Sequence, residues 1–295
     1  MRDLVRGYAT AVLDGVGLDA GTVASELGAF GAALVHFDAL RQALTDATVA
    51  PASRRAVVVD LLGDRASPQT VALLGFTAHY EHASELAPSV ATLVGLAEQV
   101  AAAPEADLVG PPAGRSAARE RLRGYAERVF EELVDDAAVD RVGDEMFTLS
   151  RLLEESERLR HVLADADVPY HARAAVLEDL LAGRAAPATV RLARYVLRNG
   201  RTRDLVGTFE WLVELAARER GMRLAEVRSA VELETGEIAR LATALGRLVA
   251  RRVTVRVVVD SSVVGGLLVS VGDLVIDGTV RLRLERLRDA LALSS

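Results

Sequence analysis

Cysteine and lysine are both absent from this 295-residue chain, and aromatic residues make up only 4% of it. Without cysteine there is no disulfide framework, no thiolate nucleophile and no cysteine-ligated zinc. Arginine carries all 35 basic side chains; nothing physical requires this, so it reads as compositional bias. With few rings but 51% hydrophobic residues, the cores must be built from Ala, Leu and Val, which suits helical bundles better than sandwiches. A basic surplus is lacking too: the formal charge is −7 and the pI near 5.4, against the basic domain that nucleic-acid binding usually needs. No run approaches the ~18 apolar residues of a membrane span, and the opening MRDLVRGYAT has no uninterrupted apolar core of signal-peptide length. A soluble, cytoplasmic chain is therefore expected, and its length predicts two or three domains of roughly 100 to 200 residues.

What is present is, first, a repeat. Arg6-Gly7-Tyr8-Ala9 recurs as Arg123-Gly124-Tyr125-Ala126, and Leu44-Thr45-Asp46-Ala47-Thr48-Val49 as Leu163-Ala164-Asp165-Ala166-Asp167-Val168. Arg54, Ala56, Val57, Asp60, Leu61 and Leu62 match Arg173, Ala175, Val176, Asp179, Leu180 and Leu181. Arg65-Ala66-Ser67-Pro68 then matches Arg184-Ala185-Ala186-Pro187, and Thr70, Val71, Leu73 and Phe76 match Thr189, Val190, Leu192 and Tyr195. So many matches in register mean an internal duplication of roughly a hundred residues, too long for a solenoid repeat, so each copy is a domain. The Pro-, Gly- and Ala-rich stretch Ala101–Gly114 reads as a linker.

Each copy reads as a bundle of about six short helices. In the second, Leu122, Tyr125, Val129, Phe130 and Leu133 stripe a first helix, and Val142, Met146, Leu149, Leu152 and Leu153 the next. Pro169 and Pro187 mark helix starts, Asn199-Gly200 is expected to stop the helix from Thr189 in a left-handed cap, and Leu205, Phe209, Leu212, Val213 and Leu215 stripe the last. Beyond Gly221 the pattern changes to β, α, β, β, β, α. Ala225–Leu233 alternates as a strand, and Thr235 is a candidate N-cap with Glu237 in the first turn. Ile238, Leu241, Leu245, Leu248 and Val249 line a helix, and Val253, Val255, Val257 and Val259 alternate again. Val263–Val271 and Leu274–Ile276 flank Gly272-Asp273 as a hairpin, and Val280, Leu284, Leu287 and Leu291 share one face of a terminal helix. The expected fold is mainly α with a small α+β part: two six-helix bundles in tandem followed by a small C-terminal α/β domain. The boundaries are 1–103 for the first bundle, 104–114 for the linker, 115–220 for the second bundle and 221–295 for the α/β domain.

No set of residues converges on catalysis. His79 and His82 are three apart and can share a helix face as metal ligands would, but no third ligand lies near in sequence, so a solvated pair is the better reading. His36, His161 and His171 are isolated. Asp135-Asp136 and Glu154-Glu155 are adjacent helical positions that point apart. Gly265-Gly266 precedes a strand, not a helix with Lys-Ser/Thr, so it reads as a close backbone approach or bulge and not as a phosphate loop. Arg281, Arg283, Arg286 and Arg288 around Glu285 read as a solvated face or a partner surface. No catalytic, cofactor or metal residue is assigned.

The C-terminal succession Asp260, Gly265-Gly266, Gly272-Asp273, Ile276-Asp277-Gly278-Thr279 and the Arg- and Leu-rich Arg281–Leu291 resembles the signature of the δ subunits of bacterial F-type ATP synthases, the oligomycin-sensitivity-conferring protein family. Ser261 departs from the proline common there. The second copy resembles the family's six-helix N-terminal domain, GYAERVFEEL its first helix and RLARYVLRNGR its fifth. The first copy's LLGFTAHYEHASEL lacks the Asn-Gly stop and the arginines, so its surface is expected to have diverged. The resemblance implies a non-enzymatic stator subunit without cofactor or nucleic acid, one copy per complex. It would be peripheral at the cytoplasmic face of the cell membrane and reach the membrane only through the complex. Its implied partners are the amphipathic N-terminal segment of an α subunit, captured by the bundle, and the C-terminal helices of the b stalk. The α segment is expected to line up with Tyr125, Val129, Leu192, Tyr195 and Val196, and the first copy to widen the joint by contacting the b stalk, a second α subunit or the second copy. The alternative is a helical scaffold binding RNA or transcription proteins, since similar six-helix bundles occur in antitermination factors; the acidic charge opposes it, and an enzyme ranks third.

Overall fold

The computed structural model describes the chain apart from residues 16–18, 104–107, 109–113, 134, 166, 200–203, 223, 250–252, 261–262, 264, 272–273 and 281–295. Most of the expected linker, Gly200, the Gly272-Asp273 turn and the terminal helix with its arginines lie outside the described residues. Two compact units form, Met1–Leu133 with Arg141–Leu215 and Val134–Asp140 with Ala216–Ser295.

Both sequence copies are helical. The first runs α1 (Asp3–Asp14), α2 (Ala20–His36), α3 (Asp38–Thr45), α4 (Pro51–Leu62), α5 (Pro68–Tyr80) and α6 (Leu86–Ala102). The second repeats the order as α7 (Arg115–Glu132), α8 (Asp136–Glu155), α9 (Glu157–Ala164), α10 (Tyr170–Leu181), α11 (Pro187–Arg198) and α12 (Leu205–Met222). Prolines open α4, α5 and α11, where the missing N–H would have no helical partner; Pro169 instead sits one position ahead, as the N-cap of α10. Equivalent leucines close the two cores, Leu44 with Leu163 and Leu73 with Leu192, each at most 1% exposed. Burying side chains of this size contributes about 1.5–3 kcal/mol apiece.

The duplication extends to polar detail. Glu26 on α2 accepts from the Ser67 N–H at 3.1 Å and from the Ser67 and Thr70 hydroxyls at 2.6 Å each, at the start of α5. Glu145 on α8 does the same for α11, accepting from the Ala186 N–H at 2.8 Å and from the Thr189 hydroxyl. In each bundle a carboxylate from the second helix satisfies the open N–H end of the fifth. Burial by itself pushes both carboxyls up, but the bonds from Ser67 and Thr70, and from Thr189, Arg141 and Ala186, together hold them below the usual range.

α11 ends at Arg198 with Asn199 as its C-cap (φ −72°, ψ 2°), where the Asn-Gly pair is expected to stop it. The Asn199 amide also reaches across to the Ala118 carbonyl of α7 at 2.7 Å, a tertiary bond. One local expectation changes in the first unit: α5 ends at Tyr80, so His82 lies past the helix end and shares no face with His79.

The second unit is built on a four-stranded sheet of order β2-β1-β3-β4, with β1 (Leu224–Ser229), β2 (Thr254–Val259), β3 (Leu267–Val271) and β4 (Leu274–Asp277). β1 and β2 are parallel and joined through α13 (Thr235–Val249); the other two pairings are antiparallel. Ala225, Val227, Val269 and Val271 form the core with Leu245 of α13 and Val253. The first strand stops at Ser229, short of the expected Leu233, because β2 and β3 offer no partner beyond it, and Val231 is left exposed. Thr235 is the first helical residue and not the cap: the N–H of Glu234 before it donates to the Glu237 carboxylate at 3.0 Å.

β3 begins at Leu267, not Val263, because the chain must first turn through Gly266 at φ +82°. A Cβ there would lie 2.4 Å from the Gly278 carbonyl oxygen. Val280 N–H to Gly265 O and Gly278 N–H to Leu267 O, both 2.9 Å, tie the end of β4 over the two glycines. The pair is thus a close backbone approach.

Two outcomes are expected. Gly266→Ala should cost about 2–3 kcal/mol through strain and overlap, read as loss of sheet amide protection in hydrogen exchange. Glu145→Ala should lower urea stability by about 1–2 kcal/mol. Because the Glu145 carboxyl sits low in the folded chain, its contribution is present above the ordinary carboxylate range and is lost as pH falls through its lowered pKa. The wild-type stability slope below about pH 4 should therefore shrink in the variant, and an unchanged slope would count against the capping role.

Candidate partner-binding site

The most intimate contact in the helical unit is the crossing of α1 and α7, the first helices of the two copies. It is centred on the repeated Arg-Gly-Tyr-Ala stretch. A Cβ on Gly7 would fall 1.8 Å from the Arg121 carbonyl oxygen, and one on Gly124 1.9 Å from that of Leu4. Backbone therefore meets backbone, an approach only glycine permits. Leu4 is the repeat equivalent of Arg121, so the crossing relates the two copies as partners related by a two-fold axis.

The tyrosines that follow the glycines keep this reciprocity. Within each copy the ring stacks on the fifth helix: Tyr8 on Phe76 at 3.7 Å between centroids and Tyr125 on Tyr195 at 3.8 Å, nearly parallel in both cases. Each hydroxyl then crosses to the other copy. Tyr8 donates to Glu131 of α7 at 2.5 Å and Tyr125 to Asp14 of α1 at 3.1 Å. Asp14 and Glu131 are themselves repeat equivalents. Burial is the main cause that raises the pKa of Tyr8, Tyr125 and Tyr195, and the nearby carboxylates add to it, so all three stay neutral. Burial likewise pushes Asp14 up against the pull of Arg198, Tyr125 and Arg191.

On the second copy α1 lies against both α7 and α11. Tyr195 is hydrogen-bonded to the Thr10 hydroxyl. Arg191 donates to the Ala11 carbonyl at 3.0 Å, Arg198 pairs with Asp14 at 3.6 Å, and Arg121 pairs with Asp3 at 2.5 Å. All five residues expected to line a groove are interior: Tyr125, Val129, Leu192, Tyr195 and Val196 are between 0 and 4% exposed. Two of them, Tyr125 and Tyr195, also border a cleft of ≈ 610 Å³. Its other walls are Tyr170, His171, Ala174, Ala175 and Glu178 of α10, Arg191, Arg194 and Arg198 of α11, and Asp14. Each arginine has an acidic partner, Glu132 for Arg191, Glu178 for Arg194 at 3.1 Å and Asp14 for Arg198. The first copy is closed at the equivalent place. Gly75 stands where the second copy has Arg194, with Arg55 and Val59 of α4 packed 3.7–3.8 Å from where its Cβ would be.

Sequence reasoning placed the tyrosines and missed Thr10, Asp14 and the three arginines. A signal was available: glycine in mid-helix at the same repeat position marks close helix approach, and the acid seven residues on recurs in both copies. Among the described residues no group of three or more His, Cys, Asp or Glu is arranged to hold a metal.

Comparison with known proteins gives a family match. The model for the ATP synthase delta (OSCP) subunit matches residues 122–291, from within α7 to the C-terminal region. Relatives extend the likeness across the first copy. ATP synthase subunit delta of Nocardia farcinica is 34% identical over 282 residues, covering 96% of this chain and 94% of its own. That of a Parafrankia species is 33% identical, covering 94% and 91%; that of Kineococcus radiotolerans is 34% identical, covering 95% and 91%.

The crossing predicts an asymmetry among glycines. Gly7→Ala or Gly124→Ala must push two backbones apart and should cost about 3 kcal/mol or more. Gly95→Ala, in α6 with nothing within 4 Å of its would-be Cβ, should instead stabilise by about 0.5–1 kcal/mol. Urea unfolding monitored by Trp211 fluorescence distinguishes them, and equal effects at the three positions would contradict the close approach.

Proposed function

The chain belongs to the ATP synthase delta (OSCP) family and is a peripheral-stalk δ subunit of the F-type ATP synthase, and from that premise we propose how its parts make the joint. The helical unit captures an amphipathic N-terminal helix of an α subunit, the C-terminal α/β region holds the ends of the b-subunit helices, and no step of catalysis belongs to the chain. It is a structural subunit of a membrane-associated complex. No single described helix is long and apolar enough to cross a membrane, and attachment at the cytoplasmic face through the other subunits, one copy per complex, is the reading we adopt.

The observation that carries the α-subunit contact is the cleft beside α11. Helix-in-groove recognition needs an apolar floor and polar rims that fix register. The stacked Tyr125 and Tyr195 rings supply the floor, and Tyr170, Glu178, Arg191, Arg194 and Arg198 the rims. Val129, Leu192 and Val196 support that floor from within. A joint under torque must be tight: nanomolar affinity corresponds to roughly −12 kcal/mol, and two weaker contacts reach the same end when one tethers the other. The proposed role of the first copy is to widen the joint by bracing the second through the α1–α7 crossing. None of the findings favours the RNA-binding scaffold.

An immobilised intact chain should recover α and b subunits from detergent-solubilised membranes. The double variant Tyr170→Ala, Arg194→Glu, at half-buried and exposed positions, should lower α recovery about tenfold and leave b recovery intact. Recovery of ribosomal or transcription proteins in place of ATP synthase subunits would overturn the assignment of partners, and undiminished α recovery would move the contact away from the cleft.

A further inference from the structure

The arginine that rims the cleft in the second copy has its opposite number on the other wall in the first. Along the repeat, Arg55, Val59, Gly75 and His79 of α4 and α5 stand where α10 and α11 have Ala174, Glu178, Arg194 and Arg198. In the second copy Arg194 turns to the rim, where Tyr170 hydrogen-bonds it and Glu178 pairs with it at 3.1 Å, and Ala174 and Ala175 line the cleft. In the first copy the large side chain starts from α4 instead. Arg55 lies across Gly75, its Cγ 3.7 Å and its Nε 4.0 Å from where a Cβ on that glycine would be, with Val59 at 3.8 Å. Its charge reaches His79, whose pKa is lowered by burial first and then by Arg55 and Arg54. It also reaches Tyr8, where it opposes the rise that burial and Glu131 cause. Gly75, His79 and Tyr8 are the counterparts of Arg194, Arg198 and Tyr125, three walls of the cleft. Arg55 is partly buried and its Nε is buried without a hydrogen-bond partner, so at that atom it is held by packing alone.

We propose that Arg55 is the residue that denies the first copy an α-subunit helix, so that the chain carries one such site, in the second copy. The proposal rests on the reading of the α10–α11 cleft as the α-subunit site, and it specifies which copy serves. An incoming amphipathic helix needs room for its side chains between the fourth and fifth helices, with an aromatic floor beneath them. Both copies have the floor: Tyr8 stacks on Phe76 at 3.7 Å and Tyr125 on Tyr195 at 3.8 Å. Only the second keeps the room, because Ala174 stands where the first has Arg55. The rims differ in the same sense. Where the second copy pairs Glu178 with Arg194, the first sets Val59 against Gly75, positions that supply no charge to fix a register. Closure therefore comes from complementary sizes, a large residue on α4 against none on α5, and transposing three residues should transpose the property.

The test uses the full chain and a synthetic peptide of the first twenty or so residues of the cognate α subunit, a length of about 30 Å as a helix. Titration calorimetry reads affinity and the number of peptides bound, and hydrogen exchange reads which helices they protect. The wild type is expected to bind one peptide, with protection gained on α10 and α11 and none on α4 and α5. The triple variant Ala174→Arg, Glu178→Val, Arg194→Gly carries the first copy's residues into the second and should weaken binding about tenfold or more. The reverse transfer, Arg55→Ala, Val59→Glu, Gly75→Arg, should add a second site protected on α4 and α5. Urea unfolding followed by Trp211 fluorescence shows whether each variant is folded, and if one is not, the wild-type exchange pattern decides alone. Two peptides on the wild type, or protection on its α4 and α5, would overturn the proposal and leave the second-copy site standing. A folded reverse variant that still takes one peptide would do the same. Undiminished binding to the first variant, or no binding to the wild type, would overturn the cleft reading and the proposal together.

Discussion

Two glycines, one in each copy of a duplicated bundle, let the backbones of α1 and α7 touch, and most of the helical unit is arranged around that touch. Because neither Gly7 nor Gly124 has a side chain, the carbonyls of Arg121 and Leu4 can sit where a methyl group would be. Everything one turn further on is then fixed in register: the tyrosines stack on their own fifth helices and reach across to an acid of the other copy. A buried hydroxyl needs a partner or costs a few kcal/mol, and here each copy supplies the partner for the other. Duplication within one chain turns what would be an isologous dimer contact into an intramolecular one, held at the high effective concentration of a tether.

The two copies share a scaffold and have parted company at one place. On α5 the positions facing α4 are Ala72, Gly75 and His79, and the two helices close together. On α11 the same positions are Arg191, Arg194 and Arg198, and α10 stands off to leave a cleft. The cleft lies at that local difference, on a scaffold that both copies share.

How much was legible beforehand follows from what kind of information each feature needs. The repeat, the helix count and the β-α-β-β-β order come from periodicity, which is local, and they agree with the structure. The turn at Gly265-Gly266 was legible as a close approach because glycine has few other reasons to precede a strand. The helix stop at Asn199 was legible too, but the bond from its amide to Ala118 of another helix was not, since no local rule contains that partner. The strand from Ala225 was drawn too long for a similar reason: alternation persists to Leu233, but pairing ends where β2 ends. Tyr125, Val129, Leu192, Tyr195 and Val196 were recognised as a seam and expected at a surface. Apolar spacing identifies a face that must be covered; it says nothing of what covers it, which here includes a helix more than a hundred residues away in sequence.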